Sequence, residues 1–124
     1  MIMSSEDIHY DSIPLSSINN FEDRIVLLNA FHKRCKNKDT NVVFAYPIVP
    51  VQMMRMNSEV TRQMHAAMKA KLTIRILNNP KEAVFSKENF YDSQHHMTKE
   101  GKQERTRLLL DALKKWIESN TNFL

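Results

Sequence analysis

The chain has 124 residues, 42% of them apolar and 26% charged, with a formal net charge of +4, one glycine and one cysteine. That is the size of one domain or a piece of one, with the composition of an ordered soluble chain. Gly101 as the only glycine excludes a Walker loop, a dinucleotide-binding fingerprint and a glycine-rich oxyanion loop, and Cys35 alone excludes a disulfide framework and a thiolate zinc site. No run of about 18 apolar residues occurs, so no membrane span is expected. The N-terminus has neither the basic region nor the apolar run of a signal peptide, which as written places the chain in the cytoplasm.

Residues 1–16 read as an extended arm, polar and interrupted by Pro14, and residues 17–124 as the domain proper. A first helix is predicted from about Ser17, with Ser16 or Ser17 as N-cap and Glu22 and Asp23 at the positive end of its dipole. Phe21, Ile25, Leu28, Phe31 (or His32) and Cys35 recur at helical spacing and predict one buried stripe. The basic run 32–38 ends that helix and is read as a solvated terminus, not a phosphate site, since no aromatic residues interleave it.

Residues 41–47, Asn-Val-Val-Phe-Ala-Tyr-Pro, predict a strand buried on both faces, and Pro47 and Pro50 an extended loop after it. A second helix is expected over residues 51–71, its methionines 53, 54, 56, 64 and 68 packing the core, with His65 partly buried among them. Residues 72–77 alternate and predict another strand, Asn78-Asn79-Pro80 a turn, and residues 83–85 a short strand within an irregular stretch. The last helix opens at Thr98 as N-cap, stops at Asn120, and carries Leu109, Ala112, Leu113, Trp116 and Ile117 as its apolar stripe.

Helix, strand, helix, strand, loop, helix is the alternation of an α/β fold with parallel strands covered by helices. Two strands make a poor sheet, because buried parallel strands need neighbours and helices on both faces. The expectation is therefore part of a three-layer α/β/α sandwich of flavodoxin-like type, one that self-associates or meets a complementing chain.

The densest polar cluster is residues 90–101, Phe-Tyr-Asp-Ser-Gln-His-His-Met-Thr-Lys-Glu-Gly. A carboxylate close in sequence to an imidazole can accept its Nδ1 hydrogen and leave Nε2 as a general base. From spacing alone, three readings stand: Asp92, His95 and His96 brace the start of the last helix, they hold a metal, or Asp92 and one histidine form a catalytic pair.

The wording of this segment, Phe90-Tyr91-Asp92, a spacer, His96-Met97-Thr98, then Gly101 and Arg105-Thr106, resembles the C-terminal block of SGNH/GDSL-type hydrolases, in particular a bacterial cell-surface branch. Residues 42–47 resemble that branch's strand ending in Tyr-Pro-Pro, with Ile48 at the second proline. The resemblance runs over about residues 18–118, with its specific words in 42–47 and 90–106. It implies an esterase or acyltransferase acting on O-acyl esters without cofactor or metal, Asp92 orienting His96 as the base. His95 is the alternative base under the more widespread Asp-x-x-His spacing. Tyr46 and Pro47, at a strand end, would line the substrate pocket.

The chain departs from that pattern in one respect that decides activity: it contains no Gly-Asp-Ser, and neither Ser86 nor Ser93 lies on a strand-to-helix elbow. Triad members act as a unit, so acid and base alone are expected to be inactive. The surface relatives carry an N-terminal anchor, so a longer N-terminal segment would move the expected location to the cell surface or periplasm. The alternative is a non-catalytic α/β module that binds a partner. A basic nucleic-acid-binding protein has the weakest support, and no nucleic acid is expected.

Overall fold

The structure is a computed structural model that describes residues 12–90 and 96–120. Pro14 opens a 3-10 turn over Leu15–Asn20, which leads directly into helix α1, Phe21–Lys36. Neither Ser16 nor Ser17 caps α1; Asn20 holds that position, with no side-chain hydrogen bond. The helix runs out into a turn where Asp39 takes a φ of 55°, a left-handed conformation aspartate tolerates better than most residues.

Two β-α-β connections follow, interleaved. Strands β1 (Val43–Phe44) and β2 (Val49–Pro50) come first, then helices α2 (Val51–Met56) and α3 (Ser58–Lys71), then strands β3 (Arg75–Ile76) and β4 (Val84–Phe85). β1 pairs in parallel with β3, Val43 opposite Arg75, and β2 in parallel with β4, Val49 opposite Val84. The two pairs are separate two-stranded sheets. The general α/β class with parallel strands holds; a continuous sheet of a full sandwich does not form among the described residues.

Several predicted elements change on folding. The strand expected over 41–47 narrows to Val43–Phe44, half-buried rather than enclosed, because among the described residues only β3 pairs with it. The loop after Pro47 contains β2, an edge strand among the described residues, where a proline such as Pro50 is tolerated. The helix expected over 51–71 breaks at Asn57, which takes a non-helical φ of −113° and ψ of 22°. Asn57 is buried; its Oδ1 accepts from the Ile13 N–H at 2.7 Å and its Nδ2 donates to the Met53 carbonyl at 3.1 Å. That amide ties the N-terminal segment to the α2–α3 junction.

Asn29 plays the same part between α1 and the end of α3. Its Nδ2 donates to the Lys71 carbonyl at 2.9 Å and its Oδ1 accepts from the Thr73 N–H at 2.8 Å. Helix α4, Lys99–Ser119, begins where predicted, the Thr98 side chain accepting from the Gly101 N–H at 3.1 Å.

The core is formed by Ile25, Val60, Met68, Ile74 and Ala83, with a second cluster of Phe90 and Met97 against Ile48 and Phe85. Phe90 and Met97 pair in an isolated antiparallel bridge. The predicted stripe of α1 is covered only in part: Ile25 is buried and Phe21, His32 and Cys35 half-buried, but Leu28 and Phe31 stay exposed. On α4, Leu109 and Ile117 are exposed, while Ala112, Leu113 and Trp116 are half-buried.

Candidate functional site

Strand β1 delivers Ala45-Tyr46-Pro47 at its carboxyl end, and β3 delivers Leu77-Asn78 beside it. The Leu77 N–H donates to the Phe44 carbonyl at 2.7 Å, the last rung of the ladder. Beyond it the Asn78 side chain takes over. Its Oδ1 accepts from the Tyr46 N–H at 2.7 Å and its Nδ2 donates to the Tyr46 carbonyl at 3.3 Å, so one amide satisfies both backbone groups of Tyr46. The carboxyl ends of adjacent parallel strands are where open α/β sheets bind ligands. Here they open on a crevice of about 420 Å³ that Tyr46, Pro47 and Asn78 line from below and Arg105, Thr106 and Leu109 of α4 from the side. Among the described residues, Arg105 has no ion-pair partner.

On its other side the Tyr46 ring meets Phe44 edge-on at 5.1 Å and His65 at 5.4 Å. The Tyr46 hydroxyl lies 2.8 Å from His65 Nδ1 and donates to Met68 Sδ at 3.2 Å. A thioether is a weak acceptor, so the direction of the Tyr46–His65 bond is set by what the other ring nitrogen meets. The other ring nitrogen, Nε2, faces the Asn79 Nδ2 at 3.5 Å. Asn79 Oδ1 is committed to the Lys81 N–H at 2.9 Å, which fixes the amide's orientation and leaves Nδ2 as the donor towards Nε2. That donor selects a neutral His65 carrying its proton on Nδ1, which the Tyr46 oxygen then accepts. Burial and the nearby Lys69 lower the His65 pKa from 6.5, in keeping with that state, and burial pushes the Tyr46 phenol up to about 12.

His96 is exposed immediately ahead of α4, and its chain neighbour Met97 lines an open groove with Thr98, Lys99, Lys102 and Thr106. Thr106 lines both this groove and the strand-end crevice, so the two adjoin. Asp92 and His95 lie outside the described residues. Of the sequence-predicted site residues, the structure therefore places Tyr46 and Pro47 in the crevice and His96, exposed, one residue before Met97 of the adjoining groove. Among the described residues, no three histidine, cysteine or acidic side chains converge as a metal site would require. Ser86 is exposed, its Oγ within 3.2 Å of Asn89 Nδ2.

No family model, no curated protein and no solved structure gives a significant match to the chain.

His65, Asn78 and Asn79 carry more of this geometry than sequence reasoning assigns them. The signal for His65 was its three-residue spacing to Met68 on one helix face, and for the asparagines their place directly after a strand. Asn78-Asn79-Pro80 does form a turn, but both amides also fix Tyr46, one through its backbone and one through His65.

Proposed function

We propose that the chain is the C-terminal portion of an SGNH-type α/β domain acting on O-acyl esters, with the serine and the oxyanion donors supplied by another segment. In this reading Asp92 orients a histidine, His96 before His95, which takes the proton from the attacking hydroxyl and returns it to the leaving alcohol. Tyr46 and Pro47 border the bound ester, and Arg105 and Thr106 wall it from α4. The observation that carries the reading is the crevice at the carboxyl ends of β1 and β3, adjoining a groove lined by Met97, the residue that follows His96. Parallel strand pairs with uncovered neighbours suit a domain whose remaining strands come from elsewhere.

The test begins with the coding DNA upstream of Met1. The expected result is an in-frame segment with Gly-Asp-Ser, whose extended product hydrolyses p-nitrophenyl acetate and loses about 10²–10⁴-fold of that rate in His96→Ala. The 124-residue chain alone should hydrolyse it at the background rate. An upstream stop codon, with no partner chain restoring turnover, would overturn the proposal.

A second reading, a non-catalytic module that binds a partner chain, is favoured by one observation. Val26, Leu27 and Phe31 on α1 and Leu110 on α4 are large apolar side chains left in solvent.

A further inference from the structure

Below Tyr46, on the side away from the strand-end crevice, lies a cavity of about 290 Å³ bounded by α1, α2, α3 and the turn Pro80–Ala83. Its walls include Met53, Met54, Met64 and Met68, with Ala83 at one side. It opens to solvent beside Ile13 and Leu28, both partly exposed, and its lining is almost wholly apolar, surface that an apolar occupant would remove from water. Water is a poor filling here. The Asn57 amide already bonds Ile13 and Met53, and the Tyr46 hydroxyl His65 and Met68, which leaves water few polar side chains beyond Thr61. Methionines are the side chains that best adapt to a flexible apolar occupant. A dry cavity of roughly 150 Å³ takes up benzene, so this one has room for an apolar chain of about eight to twelve carbons.

The cavity shares Met54, Thr61 and Pro80 with a second crevice of about 290 Å³ at whose wall stand Arg62, His65, Asn79 and Lys81. Arg62 is held by Glu59, whereas Lys81 has no ion-pair partner among the described residues. An apolar space thus adjoins a crevice with an available cation.

We infer that the two form one binding site for a medium-chain fatty carboxylate, the tail among the methionines and the carboxylate at Lys81. The inference does not depend on the hydrolase reading, since neither Asp92 nor His96 takes part and the readout is binding.

The experiment is a titration of the full chain, labelled at the methionine methyl groups with carbon-13, with decanoate below its micellar concentration. Saturable shifts are expected for Met53, Met54, Met64 and Met68, with Met97 in the other cluster and the exposed Met56 unmoved. Ala83→Leu fills the cavity and should abolish those shifts. Should that variant not fold, Met64→Phe fills the same space, and either must keep the wild-type far-UV circular dichroism. Lys81→Gln should weaken decanoate several-fold and leave 1-decanol unchanged. No saturable shift, equal shifts at Met56 and Met97, or undiminished binding in the filled variant would overturn the site. Equal binding of decanoate by Lys81→Gln would overturn the placement of the carboxylate.

Discussion

Tyr46 joins both candidate sites, and its surroundings set what single substitutions do. Tyr46→Phe keeps the ring contacts but removes the acceptor of the His65 Nδ1–H and the donor to Met68. Losing one partner of a half-buried pair costs the desolvation of the group left behind, so a loss of about 1–2 kcal/mol is expected in urea unfolding. His65 makes a separate, pH-dependent contribution. Its folded pKa lies below the 6.5 of the unfolded chain, so as pH falls through 6.5 the unfolded chain takes up a proton that the folded one resists. The stability contributed by the neutral ring is full above pH 6.5 and is lost as the pH falls towards the folded value. Protonation would also set an Nε2–H against the Asn79 donor, next to Lys69 on its own helix and to Arg62 and Lys81 around the crevice. Wild type should therefore exceed His65→Gln in urea midpoint by more at pH 8 than at pH 5.5. A gap that is constant or widens in acid would show that the ring is not held neutral.

At the scale of the elements, Gly101 fixes how α4 meets the chain before it. A Cβ at this position would lie 2.7 Å from the Asn89 carbonyl oxygen and 3.0 Å from Asn89 Cβ, atoms that cannot swing away. The same carbonyl accepts the Thr98 N–H at 2.7 Å, so a shift of Asn89 would loosen the start of α4 as well. Alanine brings about 1 kcal/mol of helix preference over glycine, less than overpacking commonly costs, so Gly101→Ala should lower stability by about 1–2 kcal/mol. An unchanged or raised melting temperature would refute that close approach. The α4 boundaries were legible because capping is local chemistry: Thr98, an early acid and a stripe at helical spacing all agree. The break at Asn57 was not, because it is made by a contact with Ile13, 44 residues away, and nothing in the methionine-rich pattern around it signals a stop. For the same reason residues 41–47 looked like a longer strand than they form. An apolar β-branched run reports what a strand would like to bury, and pairing partners decide how much of it is strand. In the candidate site, Tyr46-Pro47 was legible from its position after an apolar run. The Asn79–His65–Tyr46 chain was not, since three elements must meet before those groups face one another.

At the scale of the whole molecule, the described parallel strands and the apolar helix faces are out of proportion. Each sheet has two strands, whereas all-parallel sheets are ordinarily broad and covered on both faces. On α1, Val26 and Leu27 are 65% and 70% exposed, and on α4 Leu110 is 58% exposed. Isolated exposed leucines are ordinary, but α1 presents Val26, Leu27 and Phe31 from one helix, and short strands with free edges add unpaired backbone groups. The apolar surface favours association over a solvated monomer, and a net charge of +4 over 124 residues is a weak repulsion to set against it. The chain should therefore elute from a size-exclusion column at an apparent mass that rises with loading concentration. Leu27→Lys together with Leu110→Lys should shift it towards 14.6 kDa, because each charge would be costly to bury in an apolar contact. Raised salt should leave the wild-type association intact or strengthen it, the opposite of what a charge-driven assembly would do. A single monomeric peak at high concentration would mean that these faces are tolerated in water, and would count against both the partial-domain and the partner-binding readings.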